Sequence, residues 1–363
     1  MNLSGRTTTE LVASIRETVP ATIPLDLDLG GTSIRVLSST HALHDALADY
    51  FAEFMAPCAG PDILITAHET AAPVLDLEFK IKPPETGKTK IKEEWADLPG
   101  GRVVRKRLTG MHFLFGQGEN AAIGPCLDNA NQVINFVNNR FIERTLNSGG
   151  LLGHAAGVVH HGRGMSLAGF SGAGKSTLAL HLMSRGTTFV SNDRVMVRDT
   201  STGLMMYGVA KQPRINPGTA LNNPDLADIV SPEDAQRLLA MPLDELWSLE
   251  SKYDALIHEC FGPNRFVLAA PMRALVILNW KHGAGATGVA TVDPQQRTDL
   301  LPAFMKPTGL FYLPDDPART GDPGQDEYAA LLSGADLIEF TGGVDFDLAA
   351  DICMAYLETG ILP

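Results

Sequence analysis

The residues most able to do chemistry lie in one short run, Gly169-Phe170-Ser171-Gly172-Ala173-Gly174-Lys175-Ser176. The run fits the phosphate-loop pattern G-x-x-x-x-G-K-[ST]. Such a loop turns successive backbone N–H groups toward an anion and sets that anion at the positive end of a helix. Lys175 is placed to reach the β- and γ-phosphates of a nucleotide, and the Ser176 hydroxyl to take one position on Mg²⁺. The candidate nucleotide-binding residues are therefore Gly169, Ser171, Gly172, Ala173, Gly174, Lys175, Ser176 and Thr177. A chance glycine-rich turn is the alternative, and the flanks argue against it. Residues 164–168 are short and mostly apolar, as in a buried strand, and residues 177–183 form helix well until Gly186 closes the pattern.

A second signal follows. Residues 187–193 read as a strand that ends in an acid, Asp193, eighteen residues after Lys175. That spacing accommodates one helix and a return to the sheet. An acid at such a strand end is where a nucleotide-bound Mg²⁺ is held, directly or through water, so Ser176 and Asp193 are the candidate metal residues. Alone, such an Asp reads as a turn or cap residue. Lys211 and Arg214 stand three apart in a segment stiffened by Pro213 and Pro217. The pair suits either a fixed anion clamp or an ordinary surface loop.

These residues need a scaffold, and 363 residues suffice for one large domain or two ordinary ones. The apolar and charged fractions are those of a globular chain. No apolar run approaches the ~20 residues that span a bilayer, and the first residues lack the layout of a signal peptide. Cys58, Cys126, Cys260 and Cys353 are scattered without metal-ligand spacing, which points to a reduced, cytoplasmic setting. A net charge of −13 argues against general nucleic-acid binding.

Hydrophobic periodicity predicts helices over 7–19, 42–55 and 129–146, a hairpin from 25–29 to 33–37, and a buried strand at 63–65. Residues 80–107 carry nine Lys/Arg against four Asp/Glu, with alternation at 79–82 and 89–92 about a turn at 83–87. They form either the solvated face of an antiparallel sheet or a docking surface for an acidic or phosphorylated partner. A boundary near 150 separates an N-terminal α/β domain or extension (1–150) from a catalytic domain (151–363). In the latter, Ser231-Pro232 starts a helix, 273–280 and 337–340 are buried strands, 314–326 is a loop, and a helix covers 346–358.

With these residues in view, 150–285 resembles the C-terminal domain of HPr kinase/phosphorylase, and the B type of HPr kinase-related kinases in particular. The resemblance rests on His154, the 169–176 loop, a helix ending in Arg185-Gly186, Ser191-Asn192-Asp193-Arg194, the stretch 213–219, and more loosely on Glu250-Ser251-Lys252-Tyr253-Asp254 and Phe261-Gly262. It implies an α/β (α+β) chain with a phosphoenolpyruvate carboxykinase-like P-loop kinase fold on a mixed twisted sheet. It further implies an ATP- and Mg²⁺-dependent kinase that moves the γ-phosphate to a serine/threonine-type hydroxyl of a protein or peptide, in a homo-oligomer. Asn192 or Asp193 would orient the acceptor, Lys211, Arg214 or Lys252 would steady the transferred phosphate, and His154 would lie near the phosphates. On the residues alone His154 also reads as a packed strand-end histidine. The chain departs from the family at Asn192, where the family has Asp, and at Thr177, where the bifunctional enzymes often carry Glu. Asn cannot accept a proton at neutral pH, though it can hydrogen-bond a hydroxyl or a metal water. Asn192 therefore supports a different expectation, a nucleotide-binding regulator with weak or no transfer. A small-molecule hydroxyl kinase would share the loop chemistry.

Overall fold

A computed structural model of the chain describes residues 5–84, 89–242, 245–246, 249, 251–319 and 321–363. Residues 85–87 of the predicted turn at 83–87, and Glu250, lie outside the described residues. The architecture is mixed α/β, with two large sheets of mixed strand direction. The chain divides into two compact units, Met1–Asn147 with Thr308–Thr320, and Ser148–Pro307 with Gly321–Pro363. Among the described residues no helix is long and apolar enough to cross a membrane.

The first unit is built on an eight-stranded sheet. Its strands run in the order Ile23–Leu29, Thr32–Ser38, Ile63–Glu69, Glu119–Gly124, His112–Gly116, Gly101–Lys106, Glu93–Leu98, Lys80–Ile81. Ile63–Glu69 is parallel to both its neighbours, and the other pairs are antiparallel. The helix Thr8–Thr18 starts in a capping box made by Thr7 and Glu10, and it buries Leu11 and Val12 against Val103, Leu114, Ala121 and Ile123. The alternation at 89–92 does not become a strand. The strand is Glu93–Leu98, whose Glu94, Ala96 and Leu98 face inward. Its acids are gripped from both neighbours: Lys80 and Arg102 pair with Asp97 at 3.0 and 2.8 Å, Lys82 and Lys106 with Glu93, and Arg105 and Arg107 with Glu94. Cross-strand charge pairing thus accounts for these basic residues within the sheet.

The helix Ala130–Asn147 runs over the same unit. Its Phe136 meets Phe113 at 4.9 Å between ring centres, and Phe311 stacks on Phe115 at 5.7 Å. Residues 308–319 carry no helix or strand, yet they are held into this unit. Arg140 donates to the Phe311 carbonyl, and Glu143 accepts from Leu313 N–H at 2.8 Å.

The second unit is organised around one strand, Ala269–Leu278. Its latter part is parallel to Arg163–Gly169 on one side and to Asp336–Gly342 on the other. Its first residues pair antiparallel with Gly203–Tyr207 instead, which leads on to Val195–Thr200 and Leu151–Gly153. Beyond Arg163–Gly169 lie Ala155–His160 and Thr188–Ser191, both antiparallel. Alternation then sorts the side chains. Met165, Leu167, Val276, Leu278, Ile338 and Phe340 meet the helices Lys175–Ser184 and Phe346–Thr359 on one face. Ala168, Leu275 and Ile277 pack with Met206, Phe304 and Tyr328 on the other. Leu178 and Leu182, fully buried, fasten the Lys175–Ser184 helix, at about 1.5–3 kcal/mol each.

Candidate functional site

The loop at 170–174 joins the end of Arg163–Gly169 to the helix Lys175–Ser184, at the C-terminal end of the parallel strands. In open α/β sheets this is the end where ligands bind. Two side chains from elsewhere shape the loop. Trp280, just past the central strand, donates its indole N–H to the Ala173 carbonyl at 2.9 Å. Phe346, the first residue of the last helix, lies edge-on to Trp280 at 5.2 Å and flat against His181 at 5.8 Å. It also lies against Gly174, where a Cβ would come within 2.3 Å of its ring. Gly174 has φ 90° and caps the helix in the left-handed region, which glycine alone adopts freely. The Lys175 ammonium folds back to donate to the Gly169 carbonyl at 2.9 Å.

Sheet register brings the other candidates to this end. Ala155 is opposite Ala168, which sets His154 beside the end of the loop strand. Ser191 is opposite Gly157, which carries Asn192 and Asp193 to the same edge. His154 Nε2 lies 3.6 Å from Asp193 Oδ1, while Arg194 Nε and Lys306 Nζ each lie 3.7 Å from Asp193 Oδ2. Burial works against the Asp193 charge, but Lys306, His154, Arg194 and Lys211 outweigh it and hold the carboxyl below its usual value. Asp193 is therefore ionised at neutral pH. His154 is neutral there, because burial and the charges of Lys175 and Lys306 pull it down to about 4 against the opposing pull of Asp193. Lys175 is shifted down by burial, with Asp193 opposing and Lys306 adding. Lys211 is shifted down by burial and by Arg194, with Asp193 opposing.

The carboxamide oxygen of Asn192 is buried and has no hydrogen-bond partner. An acceptor left in that state costs about 1–3 kcal/mol. It is what a site completed by a ligand hydroxyl or a metal-bound water would show in the bare protein. Among the described residues no group of three or more His, Cys, Asp or Glu could hold a metal by itself. The pair Ser176 and Asp193 suits Mg²⁺ only in the manner usual for that ion, with one or two protein ligands and the rest from phosphates and water.

Thr177 is buried in the helix, and its hydroxyl meets that of Thr219 at 3.0 Å. It ties the helix Lys175–Ser184 to the short helix Pro217–Leu221, and Asn223 adds to the tie through Ser184 at 3.1 Å and the Leu180 carbonyl at 3.3 Å. Arg214 lies on a two-residue strand paired with Tyr253–Asp254 and spends part of its charge on Asp254 at 3.0 Å. Its field still reaches Lys211. Lys252 is exposed beside that strand, and among the described residues it makes no ion pair. The structure thus gathers Lys175, Asp193 and His154, connects Lys211 and Arg214 to them by charge, and leaves Lys252 outside the group.

Lys306 carries no motif and was not legible as a site residue. It arrives because residues 304–306 run along 152–154: His154 N–H donates to the Phe304 carbonyl at 2.6 Å, and Lys306 N–H to that of Leu152 at 3.1 Å. Gly153 makes the approach possible, since a Cβ there would sit 2.2 Å from the Phe304 ring.

No family model matches this chain, and neither does any curated protein. Among solved structures, the HPr(Ser) kinase/phosphatase of Coxiella burnetii aligns with 56% of this chain and 89% of its own. The identity is 14% and the TM-score 0.29. A likeness at that level carries no argument about reaction or substrate.

Proposed function

We propose that the second unit is an ATP- and Mg²⁺-dependent phosphotransferase that delivers the γ-phosphate to a serine/threonine-type hydroxyl of a protein or peptide. The observation that supports this best is the meeting of three groups at one sheet edge: the glycine loop with Lys175, the ionised Asp193, and the unpartnered oxygen of Asn192. The loop amides and Lys175 bind the β- and γ-phosphates. Ser176 and Asp193 hold the metal, which when bound neutralises charge on the phosphates. Asn192 accepts a hydrogen bond from the acceptor hydroxyl or from a metal-bound water and so fixes its approach. Lys211 and Arg214 supply positive charge to the group in transit.

Asn192 is not a base, and the reading does not need one. Phosphoryl transfer passes through a loose transition state, in which positioning and charge stabilisation matter more than early removal of the acceptor proton. His154, neutral near Asp193, adds no positive charge to compete with a metal.

The test is incubation of the protein with Mg²⁺ and γ-labelled ATP, alone and with lysate of its own organism, beside Lys175→Ala. Label on a lysate protein, absent with the variant, supports the assignment. Tight Mg-ATP binding with no labelled product favours the regulator, and label on a metabolite favours the small-molecule kinase.

A further inference from the structure

We propose that the strand Thr287–Val292 is a dimerisation edge, to which a second copy of this chain adds its own Thr287–Val292 antiparallel across a two-fold axis. The inference does not depend on the nucleotide reading above.

The strand closes one margin of the second unit's sheet. It pairs antiparallel with Asp336–Gly342, from Thr287 opposite Gly342 to Val292 opposite Leu337, without a bulge. Which of its backbone groups face out follows from this neighbour. The Phe340 and Gly342 carbonyls accept from the N–H groups of Asn279 and Lys281 at 2.9 and 2.8 Å, on the side of the central strand. A strand residue sends its N–H and C=O to the same side, so Leu337, Glu339 and Thr341 turn the other way. Their partners are Val292, Ala290 and Gly288. Gly343 N–H, bonded to the Ala286 carbonyl at 3.3 Å, keeps the same phase. The N–H and C=O of Thr287, Val289 and Thr291 therefore point away from the sheet, and no described residue pairs with them.

The other margins of the two large sheets are covered or guarded. Ile23–Leu29 is bridged by Met55 and bonded by Ala56, and Thr188–Ser191 exchanges bonds with 265–267. Leu151–Gly153 is covered by 304–306, and Lys80–Ile81 is two residues long and carries a lysine. Thr287–Val292 has no charged side chain, no proline, no bulge and no cover among the described residues. A bare edge of that kind is a template for another chain.

The strand suits a copy of itself. An axis at Val289 sets Val289 opposite Val289 of the second copy, and Thr287 opposite Thr291 on either side. Each of these is a hydrogen-bonded pair, so every outward N–H and C=O of both copies is satisfied. Threonine opposite threonine and valine opposite valine are favourable cross-strand pairs. Val289 already packs on the core that holds Phe340, and its copy extends that apolar surface. The two ends of the strand carry complementary charge. Exposed Asp293 follows it, and exposed Lys281 and His282 stand in the turn before it. The antiparallel register places Asp293 of one copy opposite Gly285 of the other, in that same turn. A strand of unrelated sequence would gain the backbone bonds without this meeting of ends, which favours a second copy.

Sedimentation equilibrium of the full chain across a concentration series is expected to show a reversible dimer. Val289→Pro removes one outward donor from each copy and no bond within the sheet, and proline is tolerated at an edge position whose N–H faces out. It should weaken the dimer about thirtyfold or more, with an unchanged circular dichroism spectrum. Lys281→Glu should weaken it by a smaller factor, through the charges at the strand ends. If Val289→Pro does not fold, hydrogen exchange of the wild type decides: the Thr287, Val289 and Thr291 amides should exchange more slowly at high protein concentration than at low. A wild-type chain that stays monomeric throughout, whether or not it takes up another strand, overturns the proposal. So does a dimer that Val289→Pro leaves intact, and so do those three amides exchanging alike at both concentrations.

Discussion

Gly174→Ala is the sharpest probe of the loop at 170–174 and of the nucleotide role proposed for it. At φ 90° and ψ 24° an L-residue sits in the left-handed region, at a cost of about 1–2 kcal/mol. The new Cβ would also lie 2.3 Å from Cζ and 2.6 Å from Cε1 of Phe346, far inside van der Waals contact. Relief requires the loop or the ring to move, and overpacking of this kind costs about 1–3 kcal/mol. Together the two effects predict a loss of about 2–5 kcal/mol of unfolding free energy, or a displaced loop with correspondingly weaker Mg-ATP binding. Phe346→Ala in the same chain removes the collision but not the backbone strain. Measured against Phe346→Ala alone, the double variant should therefore lack the overpacking share and keep a deficit of about 1–2 kcal/mol, which a double-mutant cycle isolates. Urea unfolding and a nucleotide-binding isotherm measure both parts. A Gly174→Ala protein as stable and as avid as wild type would refute the geometry. A double variant as stable as Phe346→Ala alone would show that position 174 is not left-handed, and a strictly additive cycle would show that Phe346 does not press on the loop.

Three further outcomes are expected. Thr177→Val should lose about 1–3 kcal/mol, because it leaves the buried Thr219 hydroxyl unpaired, whereas Thr177→Val with Thr219→Val should recover most of that in urea unfolding. Arg140→Ala should cost the first unit about 3–5 kcal/mol in the same assay, since it strands Glu143 and uncovers the Phe115 and Phe136 rings on which the guanidinium lies. His112 is fully buried, with Nδ1 on the Gly110 carbonyl at 2.9 Å and Nε2 unpartnered, and burial pulls it down from 6.5 to about 4. A depressed histidine stabilises the fold fully above its unfolded value, so stability should fall between about pH 6.5 and pH 4 by about 3 kcal/mol. His112→Gln should flatten that stretch of the pH profile, and an NMR titration of His112 near 6.5 would contradict it.

The sequence by itself determined what neighbouring residues settle among themselves. The strand, glycine loop and helix of 163–184 are legible because the apolar run, the glycines and the helix formers that set them are near neighbours in the chain. Ser231 as cap before Pro232, and the hairpin of 23–38, are set by local backbone preferences and alternation in the same way. Asp193 was legible by its spacing, since one helix and one strand fix how far the chain travels before it returns.

Tertiary structure decided the rest, because its causes lie far apart in the chain. Trp280 meets Ala173, and Lys306 meets Asp193, only through the order and register of strands, and neither residue has a local pattern that records the meeting. The same holds for 308–319. It has neither helix nor strand periodicity, yet Phe311 finds its place among the rings of Phe113, Phe115 and Phe136. A parallel pairing such as 164–169 with 272–278 leaves no trace in either segment beyond hydrophobicity, and it is this pairing, with the antiparallel pairs of 155–160, that puts the loop, the tryptophan and the carboxylate at one end of one sheet.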